Sequence, residues 1–135
     1  MFKVIKIDHI AIAVKNLQEA KKLYTDILGM NVKVEEAVFE SEKVKICLIP
    51  CGETDIELVE SITLDGPTAK LVDNKGGGIH HIGLLVDSIQ NAVADLKAKE
   101  IRLLGEAPRK VEDGTGIAFI HPKAAGSVLI ELVEH

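Results

Sequence analysis

Residues 4–14 (VIKIDHIAIAV) carry the period-two signature of a strand, with Ile10, Ile12 and Val14 on one face and His9, Ala11 and Ala13 on the other. The period then changes. Leu17, Ala20, Leu23, Tyr24, Ile27 and Leu28 follow helical spacing. Asn16 stands where an N-cap belongs, Glu19 occupies the capping-box position, and Gly29 sits where a helix ends in a left-handed residue. Strands are predicted near 30–38, 43–50 and 55–61. A second series begins with a strand over 79–86 and a helix capped by Ser88, whose stripe is Ile89, Ala92, Val93 and Leu96. Strands near 101–105, 115–121 and 127–134 complete it. Between the two series, Asp65-Gly66-Pro67 opens a short helix over 67–73, proline suiting a first turn. Lys75-Gly76-Gly77-Gly78 reads as a flexible hinge.

The two series are copies of one unit. IDHIAIAVKNLQEA (7–20) aligns with IHHIGLLVDSIQNA (79–92), matching at Ile7/Ile79, His9/His81, Ile10/Ile82, Val14/Val86, Gln18/Gln90 and Ala20/Ala92. The pentapeptide IELVE occurs at 56–60 and again at 130–134. His81 follows His9 by 72 residues and Glu131 follows Glu57 by 74, so both ends of the unit recur in order. The expected fold is α+β: two tandem βαβββ modules, about 4–61 and 79–134 with a 62–78 linker, in one domain over 1–135. A helix covers one sheet face of each module. The other face is bare unless the copies curl around a shared cavity, so a concave, barrel-like mixed sheet around a metal site is expected.

The residues on the face away from the helices carry the chemistry. His9 stands there beside Ala11, and His81 beside Gly83, small neighbours that leave room for a bulky group. Glu57 and Glu131 are lone carboxylates between apolar neighbours, and a buried carboxylate is costly unless paired or metal-bound. His9, Glu57, His81 and Glu131 therefore form the candidate metal set. Two imidazoles and two carboxylates suit a borderline divalent ion such as Co, Ni, Mn, Zn or Fe. His80 points to the face opposite His81 and is not expected to be a ligand. His121 precedes Pro122-Lys123 in a turn, and His135 is terminal.

Composition narrows the class. With 135 residues and 47% hydrophobic content the chain can build its own core. A net charge of -5, with both signs mixed along the chain, argues against a nucleic-acid partner. No stretch is long and apolar enough for a membrane span, and MFKVIKIDH lacks a secretory apolar segment. Cys47 and Cys51 are read as reduced thiols in a cytoplasmic protein.

These residues resemble the vicinal oxygen chelate (glyoxalase/bleomycin resistance/dioxygenase) superfamily over essentially the whole chain. Three segments resemble its methylmalonyl-CoA epimerase family: Gly77-Gly78-Ile79-His80-His81-Ile82, Leu64-Asp65-Gly66-Pro67-Thr68-Ala69-Lys70-Leu71, and Phe119-Ile120-His121-Pro122-Lys123 leading to Gly126-Ser127-Val128-Leu129-Ile130-Glu131-Leu132. The resemblance implies a divalent ion (Co, Ni, Mn or Zn) on His9, His81 and Glu131, with Glu57 at a position held by Gln or Glu. It implies epimerisation of a CoA thioester by α-proton removal and return through a metal-chelated enolate. Glu131 would be one acid/base, and the protein a homodimer. Some relatives carry a second base in the strand before Glu57. The matching place here is Lys45 or Ile46, which leaves Lys45 a weak candidate. The alternatives are a lactoylglutathione lyase-like isomerase and a non-catalytic ligand-binding protein of the same fold.

Overall fold

The computed structural model describes residues 1–135. Its elements are β1 (Val4–Ala13), α1 (Leu17–Lys22), β2 (Val34–Phe39), β3 (Val44–Cys51), β4 (Thr54–Ser61), α2 (Pro67–Lys75), β5 (Gly78–Val86), α3 (Ile89–Ala98), β6 (Leu103–Lys110), β7 (Gly116–Ile120) and β8 (Ile130–Glu134). The β-α-β-β-β order thus occurs twice, with α2 between the copies, and the fold is α+β. The eight strands form one mixed sheet in the order β2-β3-β4-β1-β5-β8-β7-β6. The sheet is open, not closed into a barrel, with β2 and β6 at its edges.

The chain divides into two compact units: His9–His80, and Met1–Asp8 with His81–His135. In the His9–His80 unit, β1 pairs parallel with β4, and β3 lies antiparallel between β4 and β2. Leu17, Cys47, Ile49 and Leu58 are fully buried beneath α1, joined by Ile12, Val14, Ala20 and Tyr24. The opposite sheet face carries Ala11, Ile46 and Val59, with Ala37, Phe39, Val44 and Leu48 around them. Alternation along each strand produces this division, as the sequence predicted for β1. In the other unit β5 pairs parallel with β8, and β7 lies antiparallel between β8 and β6. Val86, Ile89, Ala92, Val93, Ala118 and Leu132 make its core under α3. Each buried leucine, such as Leu17 or Leu132, contributes roughly 2 kcal/mol of transfer free energy. The N-terminal segment is tied to this unit: the Lys3 amide donates to Asp87 Oδ1 at 2.8 Å, and the Asp87 amide donates to the Lys3 carbonyl at 3.1 Å.

Helices α1 and α3 start alike. Asn16 Oδ1 accepts from the Glu19 amide at 2.9 Å, and Ser88 Oγ accepts from the Asn91 amide at 3.1 Å. The reciprocal half of the expected capping box is not made; Glu19 reaches Lys22 Nζ at 3.2 Å. A carboxylate from the last strand of the module serves the helix start: the Leu17 amide donates to Glu60 Oε1 at 2.7 Å, and the Ile89 amide to Glu134 Oε1 at 2.7 Å. Each pairs negative charge with the positive end of a helix dipole.

Several boundaries differ from the sequence reading: β2 begins only at Val34 and β8 only at Ile130. The first helix is α-helical only to Lys22 and continues as a π-helical turn over Leu23–Ile27. Thr25 Oγ1 donates to the Lys21 carbonyl at 3.2 Å, competing for an acceptor of the α-helical ladder, and the Leu28 amide bonds Leu23 O instead. Strand β6 runs from Leu103 to Lys110, past the expected end near 105, because a register shift between Leu104 and Arg109 absorbs Gly105 and Pro108. As an edge strand β6 tolerates a residue that lacks an amide donor. The hinge shrinks to Gly76 and Gly77, since Lys75 ends α2 and Gly78 opens β5. Gly77 has a φ of +117°, and a Cβ there would stand 2.6 Å from the Ala13 carbonyl oxygen. No helix is long and apolar enough to cross a membrane.

Candidate metal centre

Sheet register sets the candidate ligands at equivalent places. In the parallel β1–β4 pair Glu57 lies opposite Ala11, two residues beyond His9. In the parallel β5–β8 pair Glu131 lies opposite Gly83, two residues beyond His81. The repeat seen in the sequence is thus a repeat in register, and the small residues between each His and its Glu partner strand are Ala11 and Gly83.

His81 and Glu131 are both buried, and Nε2 of His81 lies 3.4 Å from Oε1 of Glu131. Phe119 lies opposite Glu131 on β7, and its ring meets the His81 ring nearly at right angles (87°), centroids 5.5 Å apart. This edge contact fixes the plane of the imidazole. His9 is buried as well, 6% exposed. One ligand atom from each of His9, His81 and Glu131 falls within 4.8 Å of the others. Glu57 is half-buried and lies outside this group of three. Two imidazoles and one carboxylate, all buried and converging, form a donor set that fits a borderline divalent ion.

The remaining candidates separate clearly. His80 alternates with His81, shares a face with Leu84 of the α3-side core, and is not in the group of three. Lys45 does not face the histidine side of its sheet. Ile46, with Ala11 and Val59, occupies that face, whereas Cys47 and Ile49 lie under α1. Lys45 alternates with Ile46 and so belongs to the helix side, where its Nζ lies 3.6 Å from Glu60 and 3.8 Å from Glu36. Lys45 is thus held by carboxylates on the helix side, and Ile46 has no proton to give. Cys47 is buried in the core, where desolvation pushes its thiol above the ordinary value, while Cys51 is exposed; neither is bridged.

Two constellations were missed in the sequence. His135 Nε2 lies 2.8 Å from Asp8 Oδ1, and its Nδ1 lies 3.3 Å from Thr115 Oγ1, binding the last residue into the sheet. Glu60 and Glu134 are the helix-capping pair; their only signal was the identical fifth residue of the two IELVE segments.

The glyoxalase/bleomycin resistance protein/dioxygenase superfamily model matches residues 8–119. Human mitochondrial methylmalonyl-CoA epimerase is 41% identical over 129 residues, covering 94% of this chain and 72% of that protein. The crystal structure of methylmalonyl-CoA epimerase from Mycobacterium tuberculosis superposes with a TM-score of 0.89 at 34% identity, over 97% of this chain and 88% of that one. A Streptomyces coelicolor methylmalonyl-CoA epimerase variant in complex with 2-nitronate-propionyl-CoA gives 0.90 at 30% identity, over 98% of both chains. By sequence and fold, this chain belongs to the glyoxalase/bleomycin resistance protein/dioxygenase superfamily and, within it, to the methylmalonyl-CoA epimerase family.

Proposed function

We propose that this chain epimerises methylmalonyl-CoA, with His9, His81 and Glu131 holding a divalent ion and Glu57 as the fourth protein ligand. The observation that carries the reading is the buried convergence of His9, His81 and Glu131, in a chain whose relatives act on this thioester. When bound, such an ion supplies Lewis-acid stabilisation of negative charge on substrate oxygens.

The chain's own groups have separate tasks. The two imidazoles would hold the ion through nitrogen, and the His81 ring packs edge-on against Phe119. Glu131 is the proton carrier on one face of the substrate. The C–H bond between thioester and carboxylate breaks, its proton passes to a Glu131 oxygen, and its electron pair moves onto the thioester oxygen. Ala11 and Gly83 hold their strand faces open beside the ligands. Inversion requires the proton to return on the other face, and that step is not assigned to Lys45, which is paired with Glu60 and Glu36. A homodimer and a cytoplasmic setting go with the proposal.

The test is solvent exchange. Protein loaded with Co, Ni, Mn or Zn should exchange the α-proton of methylmalonyl-CoA with deuterated water and interconvert its epimers without glutathione. Activity only on a glutathione hemithioacetal would replace this reading with the lyase.

A further inference from the structure

We propose that Arg102, His121 and Lys123 form an anion subsite that takes a phosphate group of the CoA substrate. The inference rests on the CoA-thioester reading above and adds to it the residues that hold the nucleotide end. The three residues lie together at the end of β7. The His121 amide donates to the Arg102 carbonyl at 2.9 Å, so the two residues sit side by side across the β6 and β7 ends. Leu103 and Ile120, the next pair in register, belong to the α3-side core. Arg102 and His121 therefore fall on the opposite face, the one bearing Phe119 and Glu131. Lys123 joins them because its amide donates to His121 Nδ1 at 3.1 Å.

Charge points to the ligand. This protein carries a net -5, and Lys21, Lys22, Lys33, Lys43, Lys45 and Lys99 each have a carboxylate within 4.0 Å. Here two exposed cations flank His121, and both of their charges act on its imidazole. Partial desolvation, then the charges of Arg102 and Lys123, hold the His121 imidazole below the usual histidine range. It is therefore neutral at neutral pH. With Nδ1 accepting from Lys123, its proton lies on Nε2 and is free to donate. One neutral donor between two cations suits a phosphate oxygen cluster, arginine supplying a planar fork. The location suits it too. His121 lies two residues beyond Phe119, about 7 Å along the strand. The cationic ends reach farther still, so the anion would bind away from the proton-transfer residues, as the phosphates of a CoA thioester must.

The experiment compares wild type with R102A/K123A, both loaded with metal. Calorimetry with CoA should show at least tenfold weaker binding by the variant. Its KM for methylmalonyl-CoA should rise by a similar factor with kcat nearly unchanged. Methylmalonyl-pantetheine, which has no phosphate, should be processed equally by both proteins. If 3′-dephospho-CoA binds wild type as weakly as CoA binds the variant, the 3′-phosphate is the group held. If it still binds wild type more tightly than the variant, the diphosphate is. Equal CoA affinity and equal KM in the two proteins would overturn the subsite while leaving the epimerase reading intact. Loss of CoA affinity in the variant, with no exchange of either methylmalonyl thioester by wild type, would overturn the epimerase reading and keep the subsite.

Discussion

Nε2 of His81 lies 3.4 Å from Oε1 of Glu131, with both side chains about nine-tenths buried. A carboxylate so placed is stabilised by a positive partner, and His81 belongs to the group of three donors with His9 and Glu131. Removing His81 should therefore cost metal before it costs fold. His81→Ala and His9→Ala should each lower metal stoichiometry at a fixed free-metal concentration, whereas His80→Ala should leave it unchanged. Metal analysis after gel filtration decides this. A His80→Ala protein that lost the most metal would show that β5 presents its other face.

Lys45 bridges Glu36 and Glu60 on the helix side of β3. Its loss should touch stability slightly and catalysis hardly at all. A partly exposed ion pair of this kind is worth about 0–1 kcal/mol. Lys45→Ala should keep kcat within about twofold, since a proton carrier contributes on the order of 10²-fold or more. A drop in α-proton exchange beyond tenfold, with metal and substrate still bound, would return Lys45 to the reaction.

Glu134 caps α3 in the same manner as Glu60 caps α1. Each accepts the first helical amide, of Ile89 and Leu17, at 2.7 Å. Truncation leaves that donor and the helix dipole uncompensated, at a cost of about 1–2 kcal/mol. For a chain of this length that is a fall in Tm of roughly 3–8 °C. Glu60→Ala and Glu134→Ala should each show it in thermal unfolding, with Glu60→Ala also releasing Lys45. Unchanged Tm in both would mean that Asn16 and Ser88 suffice as caps.

The legible parts of this molecule were those written twice. Periodicity and the doubled HIxxxV and IELVE segments gave the module, its helices and the sheet faces, because alternation in a strand has no freedom once one face is buried. The same logic grouped His9, Glu57, His81 and Glu131 and set His80 apart; the group of three that converges contains His9, His81 and Glu131 but not Glu57. What escaped depended on partners distant in sequence. The π-helical turn follows from Thr25 competing for a carbonyl, which no hydrophobic period encodes. Strand β6 passes Gly105 and Pro108 because it is an edge, and edges are set by tertiary pairing. Lys45 and Ile46 could not be told apart in an alignment that slips by one residue, and that one residue exchanges the two faces of the strand.

The two thiols should react very differently. Cys47 is fully buried and its thiol is raised above the usual range by desolvation, so it contributes little thiolate. Cys51 is exposed at the end of β3. One cysteine should modify rapidly in native protein at pH 8 with an aromatic disulfide reagent, and the second only in denaturant. Peptide mass spectrometry should place the fast label on Cys51. Rapid modification of Cys47 would show that the core under α1 opens readily.

Glu57 and Glu131 occupy equivalent register positions, yet their surroundings differ. Glu131 is 7% exposed and lies in the group with both histidines. Glu57 is only half-buried and lies outside that group. A ligand's contribution to affinity grows with its exclusion from water, and only Glu131 is also assigned a proton. Glutamine conserves shape and an oxygen donor in both cases while removing charge and basicity. Glu131→Gln should therefore lose α-proton exchange by about 10²-fold or more, even after correction for metal content. Glu57→Gln should weaken metal binding modestly and keep exchange per bound metal within a few-fold. Measured side by side at saturating metal, these values separate a ligand from a proton carrier. Should Glu57→Gln abolish exchange at full metal occupancy while Glu131→Gln remains active, the two carboxylates have their roles reversed, and the proton leaves through the His9 half of the sheet.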